Sequence, residues 1–192
     1  MAGLFAHGAL CPCCGAEQVL PRRGFLAAAV GLTAAAVVPP ALAQASTRSL
    51  RVRRNFTEDS FDGVYWRDGH YDREALRKLD FVFRDLSAAE TTPMDPRLFD
   101  VMATVAQAVD SDEPFEVISG YRTPETNARN AGRSRRVSTV SLHMSGMAAD
   151  CRLPGRQSLQ VARRAADLQL GGVGLYRRDG FFHLDCGPVR RW

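Results

Sequence analysis

The most regular pattern in the chain is a helical spacing of apolar residues behind Asp95-Pro96. These residues recur at the i, i+3, i+4, i+7 positions of one helix face: Leu98, Val101, Met102, Val105, Ala106 and Val109. Asp95 is a good N-cap, and a proline is favoured at the first helical position. Because an apolar stripe must be buried against another layer, the pattern predicts a helix that covers a core.

Shorter patterns surround this helix. Asp72 can cap an earlier helix with apolar positions Leu76, Leu79, Phe83 and Leu86. Further helices are predicted after Thr123-Pro124 and from Ser158, and strands over 115–118, 147–153, 173–176 and 181–186. Asp179-Gly180 is a strong hairpin signal between the last two strands. Helices first and short strands later predict an α+β fold, with helices packed on a small, mainly antiparallel sheet.

The N-terminus has the pattern of an export signal. Arg22 and Arg23 precede an uncharged run that ends at Val38, too short for a membrane span. Ala41-Leu42-Ala43 supplies small residues for cleavage after Ala43, and the paired arginines resemble a twin-arginine signal. An ordinary secretory signal and an uncleaved anchor are the alternatives.

The predicted organisation is a signal peptide over 1–43, an irregular arm over 44–70, in which Val64-Tyr65-Trp66 could form a short strand, and one main domain over 71–192. The net charge of +4 is too small to indicate nucleic-acid binding. We therefore expect a periplasmic or otherwise extracytoplasmic monomer with no stable membrane anchor after cleavage.

Two histidines and an aspartate are candidate metal ligands. His143 precedes Asp150 by seven residues, and a turn at Gly146 would bring the two side chains together. His183 lies on a predicted strand and could add a second imidazole. Two His and one carboxylate, with a fourth position left to water, are typical of a catalytic zinc site. Alternatively, these are ordinary hydrogen-bonded histidines, and Asp150 pairs with an arginine.

Three segments, in this order, resemble a known peptidase group. They are Ser119-Gly120-Tyr121-Arg122-Thr123-Pro124 with Asn127, Ser141-x-His143-x-x-Gly146-x-Ala148-x-Asp150, and Phe182-His183-x-Asp185. Together they resemble the lysostaphin, D-Ala-D-Ala metallopeptidase and sonic hedgehog group of zinc peptidases, and within it the YcbK-like murein endopeptidases.

The resemblance implies that His143, Asp150 and His183 hold one zinc ion. It also implies that Arg122 stabilises the substrate carbonyl as negative charge develops there; a structural ion pair is the alternative for this arginine. Ser119, Asn127 and Ser141 are better interpreted as residues that orient the ligands.

The general base is where the sequence departs from the family. Related peptidases place an acid three residues before the last histidine, or a histidine two before it, but here these positions hold Gly180 and Phe181. Asp185 is the best substitute, because residues two apart on a strand share a face. It could equally accept a hydrogen bond from a ligand histidine. Asp179 is the second candidate for the base.

Cys151 and Cys186 lie close in sequence to Asp150 and His183. If their strands are adjacent, the two cysteines could form a disulfide; a thiolate metal ligand and unpaired buried thiols are the alternatives.

The expected activity is therefore zinc-dependent hydrolysis of amide bonds in peptidoglycan stem peptides or cross-links, as a murein endopeptidase or carboxypeptidase. Because neither Gly180 nor Phe181 can move a proton, a catalytically inactive zinc module that binds the cell wall is the competing hypothesis.

Overall fold

In the computed structural model, which describes residues 46–192, a single eight-stranded sheet forms the frame of the molecule. The predicted signal peptide and its cleavage site lie outside the described residues. The strands are β1 Thr47–Arg54, β2 Ser60–Arg67, β3 His70–Tyr71, β4 Phe115–Ser119, β5 Ala148–Arg152, β6 Gly172–Tyr176, β7 Phe181–Asp185 and β8 Arg190–Arg191. Their order across the sheet is β3-β2-β1-β4-β5-β7-β6-β8.

The pairing is mainly antiparallel, and only β1 with β4 and β6 with β8 run parallel within the described sheet. The helices are α1 Arg73–Val82, α2 Pro96–Ala108, α3 Pro124–Arg133 and α4 Ser158–Leu168. Helices α1, α2 and α4 pack on the strands. The predicted α+β class and the mainly antiparallel sheet are confirmed, but the sheet is larger than expected.

Apart from β8, the extra strands come largely from the segment predicted as an irregular arm. Over residues 46–70 that prediction was wrong, because β1 and β2 pair antiparallel and belong to the main sheet. Leu50 and Val52 are buried and alternate with exposed arginines, a pattern too short to stand out in the sequence. What fixes β1 is its parallel pairing with the distant β4, where Val52 lies opposite Phe115. Local periodicity cannot reveal such a contact.

The helix signals were read correctly in most places. Asp72 and Asp95 cap α1 and α2 through their carboxylates, and Thr123 caps α3 through its hydroxyl. The cap of α4 is Gln157, whereas the predicted cap Ser158 is the first helical residue and donates to the Gly180 carbonyl over 2.8 Å. Within residues 46–192, no helix has the length and apolarity that crossing a membrane requires.

Alternation along the central strands separates the core from the polar side chains. On β7, Phe182 and Leu184 join the hydrophobic core, and His183 and Asp185 point to the opposite face. On the neighbouring β5, Ala149 and Cys151 are in the core on either side of Asp150. The sheet therefore presents polar residues from two adjacent strands, β5 and β7, on one face.

Candidate metal centre

A tight turn positions the first histidine. His143 lies in a short 3-10 helix, Leu142–Ser145, whose N-cap Ser141 accepts a bond from the His143 backbone N–H over 3.4 Å. Gly146 ends the helix with φ of 67°, a left-handed conformation that glycine adopts without strain. The chain then enters β5 and reaches Asp150. The predicted turn at Gly146 is confirmed.

The second histidine comes from the adjacent strand. In the register of β5 with β7, Asp150 lies directly opposite His183. Ligand atoms of His143, Asp150 and His183 all lie within 4.8 Å of one another, and all three side chains are buried. The fold thus brings together the three residues that the sequence singled out as metal ligands.

The outward nitrogen of each imidazole already has a partner. Nδ1 of His143 lies 2.6 Å from the Gly120 carbonyl, and Nε2 of His183 lies 2.9 Å from Oδ2 of Asp185. A carbonyl only accepts, so Nδ1 of His143 has to carry the proton. Asp185 is ionised at neutral pH, because its pKa is lowered to about 2, and it accepts in the same way. The opposite nitrogens, Nε2 of His143 and Nδ1 of His183, are therefore the ones available to a metal.

Both inward nitrogens converge on one carboxylate oxygen. Oδ1 of Asp150 lies 3.3 Å from Nε2 of His143 and 2.9 Å from Nδ1 of His183. Either a proton on a ring nitrogen or a metal cation among the three groups accounts for separations as short as these. Two imidazole nitrogens and a carboxylate oxygen, each held by an outer hydrogen bond, form a donor set that fits zinc.

The pKa shifts of Asp150 and His143 favour cation binding at neutral pH, whereas the shift of His183 opposes it. Burial alone would raise the pKa of Asp150, but the neighbouring imidazoles outweigh it and hold that pKa well below the usual range. Burial lowers the pKa of His143. The pKa of His183 is raised, because its bonds to Asp150 and Asp185 outweigh its burial. A proton on His183 would compete with a metal for the same nitrogen.

Arg122 adds a guanidinium to the same carboxylate. Its Nη2 bonds to Oδ2 of Asp150, and its Nε donates to the Ser119 hydroxyl over 2.8 Å. The side chain is largely buried but lines the cleft above the histidines. Arg122 thus fits both interpretations. It forms an ion pair with Asp150, and it also faces the space where a substrate would lie.

Asp185 is close to the centre but does not line the cleft. It is completely buried and accepts from the backbone N–H groups of Gly172 and Gly187 over 3.0 and 2.9 Å. Arg190 donates to both carboxylate oxygens, over 3.1 and 2.7 Å. This geometry favours the orienting role over the general-base role that the sequence also allowed.

The two cysteines do not form a disulfide; both are free. Cys151 lies opposite Phe182, so Cys186, which directly follows β7, is four residues further along the chain. At roughly 3.3 Å per residue their Cα atoms are about 13 Å apart, roughly twice the reach of a disulfide. The sequence located the strands correctly but not their register. Burial raises the pKa of both thiols, that of Cys186 to about 11, which disfavours thiolate ligands.

A loop between α3 and His143 forms one side of the cleft. Buried Asn127 donates to the Ser138 carbonyl over 2.9 Å and so ties this loop to α3. Arg136 reaches across the cleft to Asp179, with Nη1 and Oδ2 3.0 Å apart. Asp179 lines the cleft, as Asp185 does not. The third histidine of the described chain, His70, is exposed on β3 at the sheet edge, away from this site.

Sequence reasoning missed two residues that contact the candidate ligands or their partners. Arg190 binds Asp185, and the ring of Trp192 lies 5.1 Å from the His183 imidazole, centroid to centroid. The cleft that these residues help to line has a volume of about 500 Å³. No local pattern around residues 190–192 indicates a role, because the contacts depend on β8 pairing with β6.

Comparisons with known proteins identify the family of this chain. Residues 42–192 match the family model described as peptidoglycan L,D-endopeptidase MepK. The chain is 36% identical over 175 residues to the peptidoglycan L,D-endopeptidase MepK of Escherichia coli (strain K12), covering 89% of this chain and 96% of that protein. It is also 36% identical over 155 residues to a probable MepK of Haemophilus influenzae, covering 79% and 83%. No solved structure matches the chain.

Proposed function

This chain belongs to the family of the peptidoglycan L,D-endopeptidase MepK, and from that premise we propose that it is a zinc-dependent hydrolase of peptidoglycan peptides. The bond cut would be an amide in a stem peptide or cross-link, and the L,D specificity in the relatives' name makes an L,D cross-link the first substrate to test. Because peptidoglycan lies outside the cytoplasmic membrane, a protein that hydrolyses it has to act there. The twin-arginine pattern at Arg22 and Arg23 is our proposal for the route of export.

One observation supports the metal part of the proposal above all others. His143, Asp150 and His183 turn one donor atom each toward a common point, and hydrogen bonds to Gly120 and Asp185 hold the two imidazoles from behind. Ligands oriented in this way need no rearrangement of their rings to receive a cation. Zinc in this site would polarise a peptide carbonyl and lower the pKa of water.

The chain's own residues would bind and orient the substrate. Arg122 places a fixed cation in the cleft, next to Asp150, and we propose that it stabilises the carbonyl oxygen as that atom becomes negative. Ser119 holds its Nε and so limits the positions of the guanidinium. Preorganised donors of this kind typically lower a barrier by a few kcal/mol.

Proton transfer requires a group that can reach the cleft. Of the two acids predicted for this role, Asp179 lines the cleft and Asp185 is completely buried. We therefore favour Asp179 as the proton acceptor and assign Asp185 to the orientation of His183. In the structure Asp179 is paired with Arg136, so acceptance of a proton would require that pair to open.

The proposal is tested with purified protein and cross-linked muropeptides. The protein is stripped with a chelator, divided, and reloaded with zinc or left metal-free, and the products are separated and identified by mass spectrometry. We expect cleavage only with metal, and L,D cross-links to be cut in preference to D,D cross-links. His143→Ala should lose both zinc and cleavage, whereas the exposed His70→Ala should keep both.

The same experiment distinguishes the enzyme proposal from the competing hypothesis of an inactive module that binds the cell wall. A wall-binding module would hold about one zinc per chain and bind muropeptides without cutting them. The enzyme proposal is overturned if the zinc-loaded parent protein releases no product from any cross-linked muropeptide.

A further inference from the structure

Trp192 is held over the candidate metal centre by the last strand pairing of the sheet. Its backbone N–H donates to Val173 over 3.2 Å, and its carbonyl accepts from Leu175 over 3.1 Å. The indole lies against Gly174, where an added Cβ would come within 2.6 Å of the ring. Glycine at this position thus leaves room for the indole beside His183. The residue is nevertheless 53% exposed, so part of the indole is open to solvent.

Trp192 lines two cavities. One is the cleft above the histidines, and the other, also of about 500 Å³, is bounded by Trp192 and by residues 175–178 of β6 and the following turn. Arg136, Tyr176 and Trp192 line both cavities, so the second continues the first. Tyr176 is stacked on Phe181, with ring centroids 4.6 Å apart, which extends the aromatic surface along β6 and β7.

The second cavity is basic. Besides the shared Arg136 it is lined by Arg177 and Arg178, and no acidic residue of the described chain lines it. Arg177 and Arg178 are exposed, and within residues 46–192 neither has an acidic partner within ion-pair distance. Two unpaired guanidinium groups beside an aromatic wall are suited to a ligand that has both a carboxylate and an aliphatic portion.

We propose that this basic cavity is a second substrate subsite, which binds a free carboxylate of the peptidoglycan peptide while its aliphatic portion packs on the indole of Trp192. The inference rests on the proposed function, since it extends the same cleft. Stem peptides contain free carboxylates and aliphatic side chains, so both features of the cavity have a counterpart in one ligand. Trp192 is then a substrate-contacting residue that separates the reacting bond from the carboxylate anchor.

Steady-state kinetics on a cross-linked muropeptide test the subsite. We expect Arg177→Ala/Arg178→Ala and Trp192→Ala each to raise KM about tenfold, with zinc content unchanged and kcat less affected. Trp192→Phe should restore most of the affinity. The matched control is Arg73→Ala/Arg163→Ala, which removes the same charge from exposed helix positions outside the cleft and should leave KM unchanged.

Binding can also be observed without turnover. The sequence contains two tryptophans, so Trp66→Phe leaves Trp192 as the single tryptophan reporter. Added to zinc-free Trp66→Phe protein, the muropeptide should change Trp192 fluorescence saturably, and a muropeptide with amidated carboxylates should bind about tenfold more weakly.

Several results would overturn the subsite. These are an unchanged KM in both cleft variants, equal binding of the amidated peptide, or a Trp192→Ala variant that loses zinc while KM stays the same. The last result would make Trp192 a support for His183 only. Because the fluorescence titration needs no cleavage, it decides the question even if the parent protein proves inactive.

Discussion

Oδ2 of Asp185 accepts from Nε2 of His183 over 2.9 Å, on the side of the ring that faces away from Asp150. This bond selects the tautomer that leaves Nδ1 of His183 free toward Asp150. Arg190 binds the same carboxylate, so the carboxylate stays ionised and in place. Arg190 on β8 thus holds Asp185, and Asp185 holds His183 on β7, so that Nδ1 of His183 is positioned as a ligand atom.

Asp185→Asn should weaken zinc binding about 10- to 100-fold, because the amide can present a donor to His183 and favour the wrong tautomer. Zinc affinity is measured by competition with a chromogenic chelator. Asp179→Asn is the matched control and should retain the parent affinity while losing cleavage if Asp179 accepts the proton. Parent-like zinc affinity in Asp185→Asn would contradict the orienting role.

Arg122→Lys should lower kcat about 10²- to 10³-fold while the protein still holds about one zinc per chain. A lysine ammonium cannot bond to Ser119 and Asp150 at once in the forked geometry of the guanidinium. Single-turnover kinetics and metal analysis on the same sample check both parts. Arg135→Lys, an exposed residue outside the cleft, serves as control. If Arg122 is only a structural ion pair, stability will fall and kcat will not.

Gly120→Ala should destabilise the fold by about 1–3 kcal/mol and weaken zinc binding as well. An added Cβ would lie 2.3 Å from the Phe83 carbonyl oxygen, so the backbone that presents the Gly120 carbonyl to His143 has to shift. Urea unfolding and chelator competition measure the two effects. Gly132→Ala is the control: no atom lies within 4 Å of its added Cβ, and alanine there should leave α3 intact or slightly stabilise it.

Because of Asp85, we expect the free energy of unfolding to depend on pH in a way that does not involve the metal. It is buried and accepts from the backbone N–H groups of Thr123 and Ser87 over 2.9 and 2.8 Å. Burial raises the pKa of this carboxyl, but the bonds to Thr123, Thr126 and the following backbone outweigh burial and lower it. Its contribution is therefore fully present above the unfolded pKa, about 3.9, and is lost as pH falls through the lower folded value.

We expect the free energy of unfolding of Asp85→Asn to be about 1–3 kcal/mol lower than that of the parent at pH 7. On acidification, the free energy of unfolding of this variant should decrease less than that of the parent. Urea titrations from about pH 7 to below pH 4 measure this difference. Exposed Asp112→Asn should follow the parent curve. Parallel pH curves for the parent and Asp85→Asn would mean that Asp85 has no such role.

The sequence alone determined the parts of this protein that depend on neighbouring residues. The caps at Asp72 and Asp95, the periodic face of α2 and the hairpin at Asp179-Gly180 follow from local backbone preferences, which act over a few residues. His143, Asp150 and His183 were also identifiable, because a turn at Gly146 and a strand face limit where these side chains can point. Similarity to known peptidases then identified these three residues as candidate zinc ligands.

Tertiary structure alone decided the features that depend on register and on distant pairing. The placement of β1 beside β4 turned an expected arm into part of the sheet. The register of β5 with β7 separated Cys151 from Cys186 and set Asp150 opposite His183. The pairing of β8 with β6 brought Arg190 to Asp185 and Trp192 to His183. A shift of one residue would reverse which face each side chain occupies, and such registers are fixed by the whole core rather than by any local pattern.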